Sequence, residues 1–172
     1  MSAVDRLVSS EVLSEFLATL DEYAEKAKEL YKRKLTEKEI NASYKLLNSV
    51  ETTVKRNDDE FIVSINLEDY WIFVENGRKP GRFPPIDKIL EWIRVKPVTP
   101  YSDSRGRLPT EETLAFLIAR KISRDGTEPR RVLAETVSEL NNYYLPILKQ
   151  SLERDFNRFS YEIISYVSSI RV

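Results

Sequence analysis

The chain contains no cysteine and no histidine, and only one methionine and four glycines among its 172 residues. Without cysteine there is no disulfide and no thiolate metal site. Without histidine there is no imidazole base near neutral pH, so the nucleophile–histidine arrangements of hydrolases are excluded. No apolar run approaches the roughly 18 residues of a membrane span. The N-terminal Asp5 and Arg6 are not followed by an apolar run, so the start does not read as a signal peptide. An enzyme is not expected, and neither is a cofactor. Three adjacent acids, Asp58, Asp59 and Glu60, lack the alternating oxygen ligands of a calcium loop and read as a solvated turn. Glu111 and Glu112 read as acidic residues of a helix first turn, not as a carboxylate pair.

Hydrophobic residues make up 41% of the chain, enough for a core, and the length fits one domain, or one domain with an extended helical arm. Charged residues make up 32% with a net charge of −1, so bulk electrostatics do not favour nucleic acid. The charge is unevenly placed. Residues 77–131 hold 13 Lys/Arg against 7 Asp/Glu, all four glycines and seven of the eight prolines. The rest holds 14 Lys/Arg against 21 Asp/Glu. A basic, turn-rich middle between acidic flanks suits head-to-tail association or docking into a charged assembly. Ordinary surface charge is the alternative.

Apolar spacing at Leu13, Phe16, Leu20, Tyr23, Ala27 and Leu30 predicts a helix over about 5–34. Thr36 and Glu39 have capping-box spacing, which predicts a second helix with Ile40, Tyr44 and Leu47 inward. Residues 51–56 and 60–66 read as a hairpin around 57–59, with Phe61, Val63 and Ile65 on one face. Tyr70–Glu75 has the aromatic and β-branched content of a strand, yet Tyr70, Phe73 and Val74 also fit one side of a short helix stopped by Gly77, the reading preferred here. Ile86, Ile89, Leu90 and Ile93 form a helical stripe that Pro97 ends, and 96–109 is a long loop expected to be mobile in a free subunit. Thr110 caps a helix closed by Gly126, with Leu114, Leu117, Ile118 and Ile122 inward. From Pro129 the pattern is helical nearly to the end. Val132, Leu133, Val137, Leu140 and Tyr144 form one stripe, continued by Ile147, Leu148, Leu152, Phe156, Phe159 and Ile163, and Pro146 should break or kink it. The expected class is α+β: a small antiparallel hairpin on several helices, an α/β core over about 36–128, and long helices at 5–34 and 129–169.

The most distinctive stretch is Tyr70–Ile93, where an aromatic-rich run meets a basic Gly/Pro turn and then a helix. Gly77-Arg78-Lys79-Pro80-Gly81-Arg82 is no phosphate loop, because Pro80 removes an amide and no Lys-Ser/Thr follows. Arg78, Lys79 and Arg82, joined by Arg105, Arg107, Arg120 and Arg124, offer forks for carboxylate or phosphate. Trp71, Phe83 and Trp92 have the character of interface anchors, with core filling as the alternative. Glu75, Gly77 and Gly81 complete the candidate contact set.

These residues carry a resemblance. Tyr70-Trp71-Ile72-Phe73-Val74-Glu75-Asn76-Gly77, its continuation to Pro85, Ile86-Asp87-Lys88-Ile89 with Trp92-Ile93, and Leu114–Ile122 followed by Gly126-Thr127 resemble the head-to-tail joining or tail-completion (minor tail component) proteins of tailed bacteriophages. The upstream Leu46–Val50 is similar as well, although Asn41-Ala42-Ser43-Tyr44 replaces the Thr-Gly often found there. The likeness covers roughly 40–130. It implies a non-enzymatic virion protein of the neck or tail region, assembled in the host bacterial cytoplasm as a hexameric or twelvefold ring of identical subunits. The implied partners are portal or adaptor proteins and tail-tube or tail-terminator proteins, with passive contact to DNA in the channel and no membrane. The competing expectation is a small DNA-associated or regulatory binding module.

Overall fold

A computed structural model describes residues 12–40, 44–57, 60–96, 98–102 and 106–169. The N-terminal part of the first expected helix, Asp58 and Asp59, Asn41-Ala42-Ser43, Pro97 and Arg105 lie outside the described residues. The fold is α+β. Its elements are α1 (Ser14–Glu37), α2 (Lys45–Ser49), β1 (Glu51–Arg56), β2 (Phe61–Asn66), α3 (Trp71–Asn76), α4 (Ile86–Val95), α5 (Glu111–Asp125) and α6 (Val132–Ser169). The described residues of Met1–Leu30, Glu51–Ile65 and Thr136–Val172 form one compact unit, and those of Tyr31–Val50 and Asn66–Glu135 form another.

In the first unit α1 and α6 run antiparallel. Ala27, Leu30, Leu140 and Tyr144 form a buried cluster, with Tyr23, Ile147 and Leu148 packed on it. The β1–β2 hairpin closes this pair: Ile65 joins the cluster, and the Phe61 ring meets Phe16 edge-on at 5.2 Å. A two-stranded hairpin is marginal alone, and these helices supply the apolar face it needs. Towards the other end the Asp155 carboxylate, fully buried, accepts from the backbone N–H of Glu15 (3.3 Å) and of Phe16 (2.8 Å). It does for α1 what a local N-cap would do, from 139 residues away. Arg158 donates to the same carboxylate at 2.8 Å and to the Val12 carbonyl and Ser14.

In the second unit the core holds Tyr31, Leu35, Leu46, Val50, Ile93, Ala115, Ala119 and Val132. Helices α4 and α5 pack on one another, and Arg94 pairs with Glu111 at 3.0 Å across them. As the sequence predicts, Thr110 caps α5 by accepting from the Thr113 N–H, and Gly126 ends it.

Four expectations fail in whole or in part. Thr36 starts no helix: α1 runs through it to Glu37, because Tyr31 and Leu35 extend the buried stripe and the Thr36 hydroxyl donates back to the Lys32 carbonyl. The chain then enters α2 through a left-handed Tyr44 (φ 53°), which is 54% exposed, so Leu46 turns inward in place of Tyr44. On α5 the expected Leu114, Ile118 and Ile122 are half-buried, but Leu117 is 46% exposed and the fully buried positions are Ala115 and Ala119, spaced one turn apart. Of the break or kink expected at Pro146 the break is absent, since α6 is continuous through it, and the distal stripe at Leu152, Phe156 and Ile163 is exposed.

Candidate functional site: a clasped basic turn

The segment singled out in the sequence sits in the second unit, and a short clasp fixes it there. After α3 the chain passes Gly77 and forms an isolated antiparallel bridge with the residue after Gly126. The Arg78 N–H donates to the Thr127 carbonyl at 3.1 Å, and the Thr127 N–H donates to the Arg78 carbonyl at 2.9 Å. The pairing continues beside it, with Arg130 N–H donating to the Val74 carbonyl (2.9 Å) and Arg131 N–H to the Glu75 carbonyl (3.2 Å).

Both flanking glycines are required. Gly77 (φ 67°, ψ −169°) and Gly126 (φ 77°, ψ −163°) occupy a backbone region essentially reserved for glycine. A Cβ on Gly77 would collide with the Thr127 carbonyl, and one on Gly126 with the Arg78 carbonyl.

Glu75 has a defined place. Its carboxylate accepts from the Leu133 N–H at 2.7 Å and the Ala134 N–H at 3.0 Å, capping the first turn of α6. That helix opens on Arg130-Arg131-Val132, with no local capping side chain. The missing cap is the one sequence signal pointing to a distant acceptor. Arg131 enters the helix with φ 50°, held by its bond to Glu75. Glu75 and Gly77 are therefore parts of the clasp.

The turn itself is laid along α5. The Gly81 N–H donates to the Ser123 carbonyl at 2.7 Å, the Ser123 hydroxyl donates to the Gly81 carbonyl at 3.2 Å, and Phe83 lies 5.9 Å from the Phe116 ring. Segments 78–82 and 116–131 are thus juxtaposed, and together they carry eight Lys/Arg against two Asp/Glu. Lys79, Arg82 and Arg120 are exposed and make no ion pair among the described residues. Arg78 is half-buried, its guanidinium 4.5 Å from the centre of the Phe73 ring. Arg124 binds Asp125 through two contacts of 2.6 and 2.8 Å and holds that carboxyl below the usual carboxylate range, so its charge is locally balanced.

Among the aromatics, Phe83 is 44% exposed, and Ile72, Phe73 and Phe116 are exposed near the same turn. Trp71 and Trp92 are half-buried, and Trp92 has the Lys96 ammonium 5.9 Å from its ring centre. Gly81 is exposed with open space around its Cα. Arg107 is exposed on the segment before α5 and has a partner of its own. The clasp thus brings Arg78, Lys79, Gly81, Arg82, Phe83, Arg120 and Arg124 together.

The arrangement is suited to recognition: a fixed turn, exposed cations and exposed rings. In comparisons with known protein families, curated proteins and solved structures, nothing matches the chain.

Proposed function

We propose that this protein is a structural subunit of a phage head-to-tail connection, a ring-forming connector or tail-completion protein that joins the portal side of the capsid to the tail and acts only by contact. The observation that carries this reading is the clasp, which spends two glycines and a carboxylate on fixing an exposed basic turn. A surface positioned at that cost is suited to a defined protein partner. The resemblance of residues 70–93 and 114–127 to tail-completion proteins points the same way.

Charge supports a head-to-tail contact between copies. By sequence, the unit containing the turn has 18 Lys/Arg against 13 Asp/Glu, and the hairpin unit has 9 against 15. The basic turn of one subunit would then meet an acidic surface on the next, a heterologous contact that closes into a ring when its rotation is right.

The test is co-expression with portal and tail-tube proteins of a tailed phage carrying this gene. Co-purification that Arg82→Glu with Arg120→Glu abolishes is the expected result. The competing reading, a DNA-associated module, predicts instead tight duplex binding that weakens steeply with salt. Such binding without any co-purification would replace the connector reading.

A further inference from the structure

The distal half of α6 presents an exposed apolar stripe, flanked only at its start, where Val12 and Leu13 line a shallow pocket with Leu152 and Phe156. Leu152, Phe156, Ile163 and Val167 are 43%, 60%, 46% and 61% exposed, and their spacing of four, seven and four residues keeps them on one side of the helix. The last side-chain bonds from α6 to the start of α1 are those of Arg158, and every residue of 161–169 is exposed. Past Arg158 the helix has no neighbour among the described residues, and although Tyr161, Ile164 and Tyr166 are exposed as well, the aligned stripe is the surface that calls for another helix.

The charge of this segment narrows the partner. Residues 149–169 carry Lys149, Arg154 and Arg158 against Glu153, Asp155 and Glu162, a balance of zero. A membrane-surface helix or a nucleic-acid contact needs a cationic excess. No helix among the described residues is long and apolar enough to cross a membrane. A neutral apolar helix fits, and the stripe is its own best match. In an antiparallel pair with residue 152 facing 167, Leu152 meets Val167 and Phe156 meets Ile163, while the two-fold axis passes between Phe159 and Ser160. In that register Arg158 faces Tyr161, Arg154 faces Ser165 and Glu162 faces Asn157, so no like charges oppose. A parallel pair would set Glu153, Arg154 and Glu162 each against itself.

We infer that the free protein pairs with a second copy of itself through this distal stripe of α6, antiparallel, in an isologous contact separate from the basic turn. Residues 152–169 make about 27 Å of helix at about 1.5 Å per residue. Two such helices bury roughly 1,000 Å² in total, the low end for a specific interface, so the dimer dissociates in the micromolar range.

Sedimentation of the full chain in high salt, where the charge-driven contact of the connector reading is screened, isolates this contact. The expected result is a concentration-dependent species of twice the 20.1 kDa chain mass. Phe156→Glu with Ile163→Glu should raise its dissociation constant roughly tenfold or more, with helicity unchanged. Because the chain has no cysteine, register is readable directly. Mixed Phe156→Cys and Ile163→Cys chains should form an inter-chain disulfide that neither forms alone, since each would sit about 10 Å from its own copy. A monomer throughout the micromolar range, a dimer indifferent to the double substitution, or cross-linking of either variant by itself would each overturn the inference. None of those results touches the basic turn.

Discussion

Two carboxylates from distant parts of the chain cap the two longest helices. Asp155 accepts from the Glu15 and Phe16 amides, and Glu75 from the Leu133 and Ala134 amides. Asp155→Ala and Glu75→Ala are each expected to cost about 1–3 kcal/mol in urea unfolding. Gly126→Ala should cost about 3 kcal/mol or more, because a Cβ there adds a backbone collision to an unfavourable φ. Alkaline pH reads a third residue. The Tyr144 phenol is pushed up to about 12, by burial first and then by donating to Glu22 at 2.8 Å. Its folded value lies above the ordinary 10.0, so its contribution is fully present below pH 10 and is lost as pH rises towards 12. Tyr144→Phe should shrink the alkaline slope of unfolding stability, leaving the part due to Tyr31 and Tyr23, whose phenols burial also raises. The partners of Asp155, Glu75 and Tyr144 were not legible in the sequence, beyond the missing local cap of α6. Spacing reports neighbours within a turn or two, and these partners lie 58 to 140 residues apart.

At the scale of elements the sequence was more informative, because helix and hairpin signals are local. The Thr110 cap, the Gly126 stop and the pairing of β1 with β2 follow from adjacent residues, whereas 70–75 read equally as strand or helix until the fold showed a helix ended by Gly77. Local signals misled where burial outweighed them. At Thr36 a capping-box spacing lay inside a helix held by Tyr31 and Leu35. At Pro146 the ring sits in a helix anchored on one side by Tyr144 and on the other by Ser151 and Asp155. Proline in a helix interior forfeits a hydrogen bond and costs about 3 kcal/mol. Pro146→Ala is therefore expected to raise the melting temperature; an unchanged or lower value in calorimetry would show that the ring is accommodated without penalty.

For the whole molecule, net charge hides a division. The near-neutral total is made of an acidic hairpin unit and a basic unit carrying the clasped turn. The uneven distribution was visible in the sequence as a basic middle. Its assignment to two compact units was not, because β1 and β2 fold with helix segments far from them in the chain. The candidate surface was likewise half legible. The residues of 77–83 were evident from composition, but the bridge to Thr127 and the apposition to α5, which turn a flexible-looking Gly/Pro stretch into a fixed platform, required the fold. Native mass spectrometry across a range of ionic strength tests the central claim most directly. The account predicts closed higher-order assemblies at low salt that dissolve as salt rises and that fail to form in the Arg82→Glu, Arg120→Glu protein. Particles no larger than a dimer at every ionic strength, alone and with phage neck proteins added, would contradict it.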